Sequence, residues 1–176
     1  FEIYDALTER KVHRDSILNK ANLSDSKRKL NNRGIEISAL NLPCPLDSEE
    51  ASPELLLKQV KIAQRTGIEN VIVRVENEPD YKKLSEILTP AIKIAEDGDT
   101  HILFETIGYF ANTQKLSEAI TYFASACLGA AWNIRHTFFF ASESAEDTIV
   151  NLGAYINYVK LGDRKGDTNV LIGEGD

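Results

Sequence analysis

The chain has 176 residues, 43% of them hydrophobic and 27% charged, a composition that supports one domain with a substantial core and argues against disorder. The formal charge of -7 argues against a nucleic-acid surface, because the basic runs Lys27-Arg28-Lys29 and Lys82-Lys83 are short and fall in helical patterns, where they read as solvated faces. Two cysteines, Cys44 and Cys127, show neither metal-type spacing nor a framework of pairs, so a reducing cytoplasmic setting is expected, and no signal-peptide or membrane-length apolar run is read.

Strand-like and helix-like stretches then alternate. Phe1-Glu2-Ile3-Tyr4 opens the chain as a short, largely apolar strand. The amphipathic stretch Leu23 to Leu30 closes on Arg33-Gly34, where the glycine reads as a helix stop. Ile35 to Leu42 alternates and runs into Pro43-Cys44-Pro45, a rigid loop in which Cys44 has a structural reading, having no base beside it. Ser52-Pro53-Glu54 supplies a cap, a first-turn proline and an acid for a helix through Leu57, Val60, Ile62 and Ala63 to Gly67.

Asn70 to Val75 is the next strand, and Leu84 to Ala95 the next helix, which Pro90 is expected to kink or split. His101 to Glu105 is a strand, Asn112-Thr113 opens a helix carrying Leu116, Ala119, Ile120 and Phe123, and Ala130 to Ile134 is a strand. Ser144 caps a helix carrying Ile149, Val150 and Leu152, which ends near Gly153 and leads into the strand Ile156 to Leu161.

Six strands at intervals of roughly thirty residues, each separated by a helix, predict a (β/α)8 TIM barrel with about six of its eight βα units in this chain. The absence of any methionine adds the expectation that residues 1–176 form a single but incomplete domain. An open doubly wound sheet competes, but no glycine-rich phosphate loop follows the first strand.

Three strands that read as buried each finish on a group able to handle protons or metals. Glu105 ends one, Asn133 and His136 end the next, and Lys160 lies near the end of the third. In a parallel barrel such positions gather at one mouth. A lysine within an apolar strand is costly unless it is paired or functional. The bland readings are a packed His136 against Phe138-Phe139-Phe140, a core Trp132, and Glu174 as a rim acid in a glycine turn.

Four pieces, Phe1-Glu2-Ile3, Phe104-Glu105-Thr106, Trp132-Asn133-Ile134-Arg135-His136 and Tyr158 to Asp163 followed by Gly173-Glu174-Gly175, resemble the xylose isomerase-like TIM barrels of the sugar phosphate isomerase/epimerase group. The resemblance implies a divalent cation (Mn, Zn, Mg or Co) held by acids and a histidine, with a carboxylate moving a proton next to a sugar carbonyl. Glu105 matches the first ligand position of that family. Asn133 stands where the family has aspartate in an Asp-x-x-His pattern, with His136 retained, and Lys160 stands where a histidine is expected. Both departures lower the site's attraction for a dication, and a Lys160–Glu105 pair at the vacated position is the resulting hypothesis.

The resemblance therefore implies an isomerase or epimerase acting on a small sugar or sugar phosphate, with Glu105, His136 and Lys160 as catalytic candidates and Asn133, Glu2 and Glu174 as substrate-binding candidates. Glu105 is the metal ligand if a cation is retained. The alternative is a non-catalytic carbohydrate-binding or regulatory barrel that has lost its metal, and a further one is Schiff-base aldolase chemistry at Lys160. No nucleic-acid or membrane partner is expected, while homo-oligomers or fusion to further domains stay open.

Overall fold

Six strands run parallel and lie side by side in chain order: β1 (Glu2–Ile3), β2 (Ala39–Asn41), β3 (Asn70–Val73), β4 (His101–Glu105), β5 (Leu128–Asn133) and β6 (Ile156–Lys160). The computed structural model describes residues 2–3, 18–19, 21–166 and 168–175, so Phe1 and Tyr4 of the first expected strand lie outside the described residues. Among the described residues five helices join successive strands: α1 (Leu23–Asn31), α2 (Pro53–Thr66), α3 (Tyr81–Glu96), α4 (Thr113–Phe123) and α6 (Ala145–Leu152). A short helix, α5 (Ile134–Phe139), follows β5 directly, and an antiparallel hairpin, β7 (Asp163–Lys165) with β8 (Thr168–Val170), follows β6. A sheet in which every neighbour is parallel and consecutive winds in one direction only, which makes it the wall of a barrel.

Alternation along the strands separates two faces. Leu40, Val71, Val73, Ile102, Phe104, Leu128 and Ala130 pack with the helices in the main core, which includes Leu56, Val60, Leu88, Leu116 and Ile120. Their neighbours Ala39, Ile72, Leu103 and Ala131 form a smaller inner cluster against Tyr158. The inner face is concave, and magnitude shows it: strands laid flat at about 4.8 Å spacing would hold β2 and β6 about 19 Å apart. Instead the Tyr158 hydroxyl on β6 lies 2.9 Å from Ser38 Oγ, immediately before β2.

Local chemistry accounts for most boundaries. Ser52 accepts from Leu55 N at 3.2 Å to start α2, and Gly67, left-handed at φ 66°, ends it. Asp80 caps α3, which runs as one helix through Pro90; the proline lies on the solvent side while Leu84, Ile87, Leu88, Ala91 and Ala95 are buried. Its missing N–H is tolerated there because burial on the opposite side holds both halves.

Four strands differ in length from the sequence expectation, β6 by the least, since it ends at Lys160 rather than Leu161. β2 pairs only from Ala39, because Ile35 N donates to Leu30 O and so belongs to the end of α1. β3 ends at Val73, since the carbonyls of Arg74 and Val75 accept from loop amides, Leu46 N and Tyr109 N. β5 starts earlier, at Leu128, and ends at Asn133, which caps α5 rather than leading into more strand.

Candidate functional site

Glu2 on β1, Asn41 on β2, Glu105 on β4, Asn133 on β5 and Lys160 on β6 form one connected polar cluster on the concave face. Ladder register contributes directly: Asn133 and Lys160 are partners across β5 and β6, and Glu105 pairs with Ala131, two residues before Asn133. Lys160 Nζ lies 2.9 Å from Glu105 Oε2 and 3.0 Å from Glu2 Oε2. Asn133 Nδ2 donates to Glu105 Oε1 at 2.8 Å, and Asn41 Nδ2 donates to Glu2 Oε2 at 3.0 Å. The three charged side chains are only 10–15% exposed, so these contacts operate with little solvent screening.

The backbone around the cluster is held in turn. Thr106 Oγ1 accepts from Asn133 N at 2.8 Å, and Gln59, buried in α2, donates to the Asn41 carbonyl at 3.1 Å. Gly108 lets the turn after β4 approach β3: at φ 55°, a Cβ there would meet Val75 O at 2.5 Å.

Burial alone would push the Lys160 amine down, but Glu105 and then Glu2 outweigh it, and the amine is held above its ordinary value. It is an ammonium at physiological pH. His136 moves the other way. Burial, and then the neighbouring Arg135 guanidinium, lower it against the pull of Glu105 and Glu76, so the ring is neutral near pH 7. Its ring stacks on Phe140 with centroids 4.8 Å apart, and Nε2 faces Arg135 Nη2 at 3.4 Å. A guanidinium can only donate, which makes Nε2 the acceptor and leaves the proton on Nδ1.

The hairpin docks beside α5. Arg135 Nη1 donates to Asn169 on β8, and the Arg164 guanidinium lies 4.8 Å over the Phe139 ring. The Asp163 carboxylate accepts from the amides of Gly173, Gly175 and Arg164 at 2.8–3.0 Å, and these bonds hold it below the usual carboxylate range. Glu174 is exposed on the loop so formed, and its side chain makes no hydrogen bond or ion pair among the described residues.

Of the sequence candidates, Glu2, Glu105, Asn133 and Lys160 are thus in direct contact, His136 is linked to Asn133 through its amide (3.4 Å to Asn133 Oδ1), and Glu174 is not in the network. Trp132 is buried, with Nε1 donating to Thr137 Oγ1 at 2.9 Å. Sequence reasoning missed Asn41 and Arg135. Asn41 carried a readable signal, a polar residue ending an apolar strand just before Pro43, the same placement as Asn133.

A dication at this position needs hard donors at about 2.0–2.6 Å. The residues present do not fit one: both carboxylates hydrogen-bond an ammonium, and Asn133 turns its amide N–H toward Glu105. Among the described residues no group of three or more His, Cys, Asp or Glu side chains is placed to hold a metal ion.

Consecutive parallel strands with a polar cluster at their ends define a β/α barrel of the kind that carries its site at one mouth. The chain belongs to the xylose isomerase-like TIM barrel family, whose profile matches residues 2–176. Among solved structures it is similar to a xylose isomerase domain protein from Planctomyces limnophilus (TM-score 0.72, 13% identity, covering 93% of this chain and 70% of that one). It is also similar to endonuclease IV from Thermus thermophilus (TM-score 0.71, 18% identity, 99% and 72%). A third is D-allulose 3-epimerase from Methylomonas sp. in complex with D-allulose (TM-score 0.68, 13% identity, 88% and 60%). Identities this low establish the fold alone. No curated protein sequence matches. No helix among the described residues is long and apolar enough to cross a membrane.

Proposed function

We propose that the chain is a carbohydrate-binding barrel of isomerase/epimerase type, whose concave polar cluster recognises the hydroxyl groups of a small sugar. The observation that carries this reading is Lys160 Nζ at 3.0 and 2.9 Å from Glu2 and Glu105. Two carboxylates, one ammonium and two amides offer both acceptors and donors within one small area, which is what vicinal hydroxyls require. Among the described residues the cluster sets two carboxylates against one ammonium, which favours hydroxyls over a phosphate as its ligand. The family membership and the D-allulose complex of a structural neighbour support a sugar as ligand. Isothermal titration with D-allulose, D-tagatose and D-xylose tests it. Saturable binding that Glu105→Gln abolishes is expected; heats indistinguishable from dilution for all three would reject it.

A second reading, proton transfer next to a carbonyl, is favoured by one feature. Glu105 and Lys160 place a carboxylate that can take a proton beside an ammonium that can stabilise the developing oxyanion. Incorporation of solvent deuterium at the carbon beside the carbonyl, followed by proton NMR, distinguishes an enzyme from a binder. Schiff-base chemistry is disfavoured, because an amine kept protonated between two carboxylates is a poor nucleophile.

A further inference from the structure

We infer that the Lys160 ammonium is a permanent internal cation, standing where the family resemblance implies a dication, so that the protein neither requires nor binds a divalent ion at Glu2 and Glu105. The placement is specific. Nζ bridges carboxylates from two non-adjacent strands, β1 and β4, while its own backbone is on β6, so one charge joins three strands. A free ion performs the same joining only when its concentration exceeds its dissociation constant, whereas a side chain is present at a fixed, high effective concentration.

Three features make the replacement exclusive. Any cation bound to both carboxylate oxygens would lie against the ammonium, and like charges at that range repel strongly in a poorly solvated site. Glu105 Oε1, the oxygen not facing Lys160, is occupied by the Asn133 amide at 2.8 Å. Asn133 Oδ1, a further acceptor nearby, faces the His136 amide as the cap of α5. The Glu105 and Asn133 oxygens that a cation's shell would draw on are therefore already engaged, and removing the ammonium would uncover two adjacent carboxylates able to bind one.

The inference is independent of which ligand the cleft takes. Thermal unfolding of the wild-type chain, dialysed against EDTA and then titrated with MnCl2, reads it directly. The expected midpoint is the same with EDTA and with millimolar MnCl2. Lys160→Met is expected to melt lower and to regain stability on adding Mn2+, with affinity by manganese EPR at least about tenfold above wild type. Lys160→Arg keeps the charge and should stay indifferent to Mn2+, which preserves the comparison if the methionine variant does not fold. A wild-type midpoint that falls with EDTA or rises with Mn2+ overturns the inference, as does a folded Lys160→Met that gains no Mn2+ affinity. Sugar binding that depends on added cation would overturn it too while leaving the carbohydrate reading intact.

Discussion

Lys160 shows how one side chain's environment sets its behaviour. Its side chain is only 12% exposed, pairs with Glu2 and Glu105, and is held protonated. Removing one partner of a buried ion pair strands the other charge, so Lys160→Met should lower unfolding stability in urea by about 3 kcal/mol. Because its folded value lies above the unfolded one, its contribution is complete below about pH 10.4 and disappears as pH rises through the folded value. Urea midpoints followed upward from neutral pH should therefore decline at the alkaline end less steeply in Lys160→Met than in wild type. His136 has the opposite sign. Its folded value is depressed, so its contribution is present above about pH 6.5 and fades as pH falls through the folded value. Replacing it with glutamine should flatten the stability slope between about pH 7 and 5, and an NMR titration should place its midpoint below that of a free histidine.

Among the elements, caps and close approaches decide where strands present their ends. Ser144 and Asp147 form a reciprocal capping box on α6, and Ser144→Ala should cost about 1 kcal/mol by chemical unfolding. Gly129 on β5 has a sharper role: a Cβ there would collide with the Asn157 side chain and lie 2.9 Å from Tyr155 O. Gly129→Ala should force β5 and β6 apart, lower stability by about 2 kcal/mol or more, and displace Lys160 from its partners. Helix starts at Ser52, Asn112 and Ser144 were legible because a cap is a local event between residues three apart. Strand ends were not, since pairing depends on a neighbour that local pattern does not contain: Ile35 is tied to α1, and Arg74 and Val75 bond to loops. The β7–β8 hairpin escaped notice because its strands are three residues each and mostly polar.

Across the whole molecule, the parallel winding was legible in the regular recurrence of apolar strands, and the cluster partly so, because Glu105, Asn133 and Lys160 each end one. What the pattern withheld was curvature. Only the curl of the sheet brings Glu2 to Lys160, and that contact makes Asn41, which also bonds Glu2, part of the same network. Amide hydrogen exchange should report the same architecture: slowest in β2, β3, β4 and β5, each paired on both sides, and fastest in the two-stranded hairpin.

The Ser38–Tyr158 contact spans 120 residues of sequence, and the Glu2–Lys160 pair joins the first strand of the sheet to the sixth. Both can form only after the four strands between are in place, which puts them among the last contacts made on the way to the native state. Substituting Lys160 should accordingly speed unfolding in stopped-flow experiments while leaving the refolding rate nearly unchanged. The ammonium that ties the first strand to the sixth would then act as a latch: it governs how long the sheet stays curled, and hardly at all how quickly it assembles.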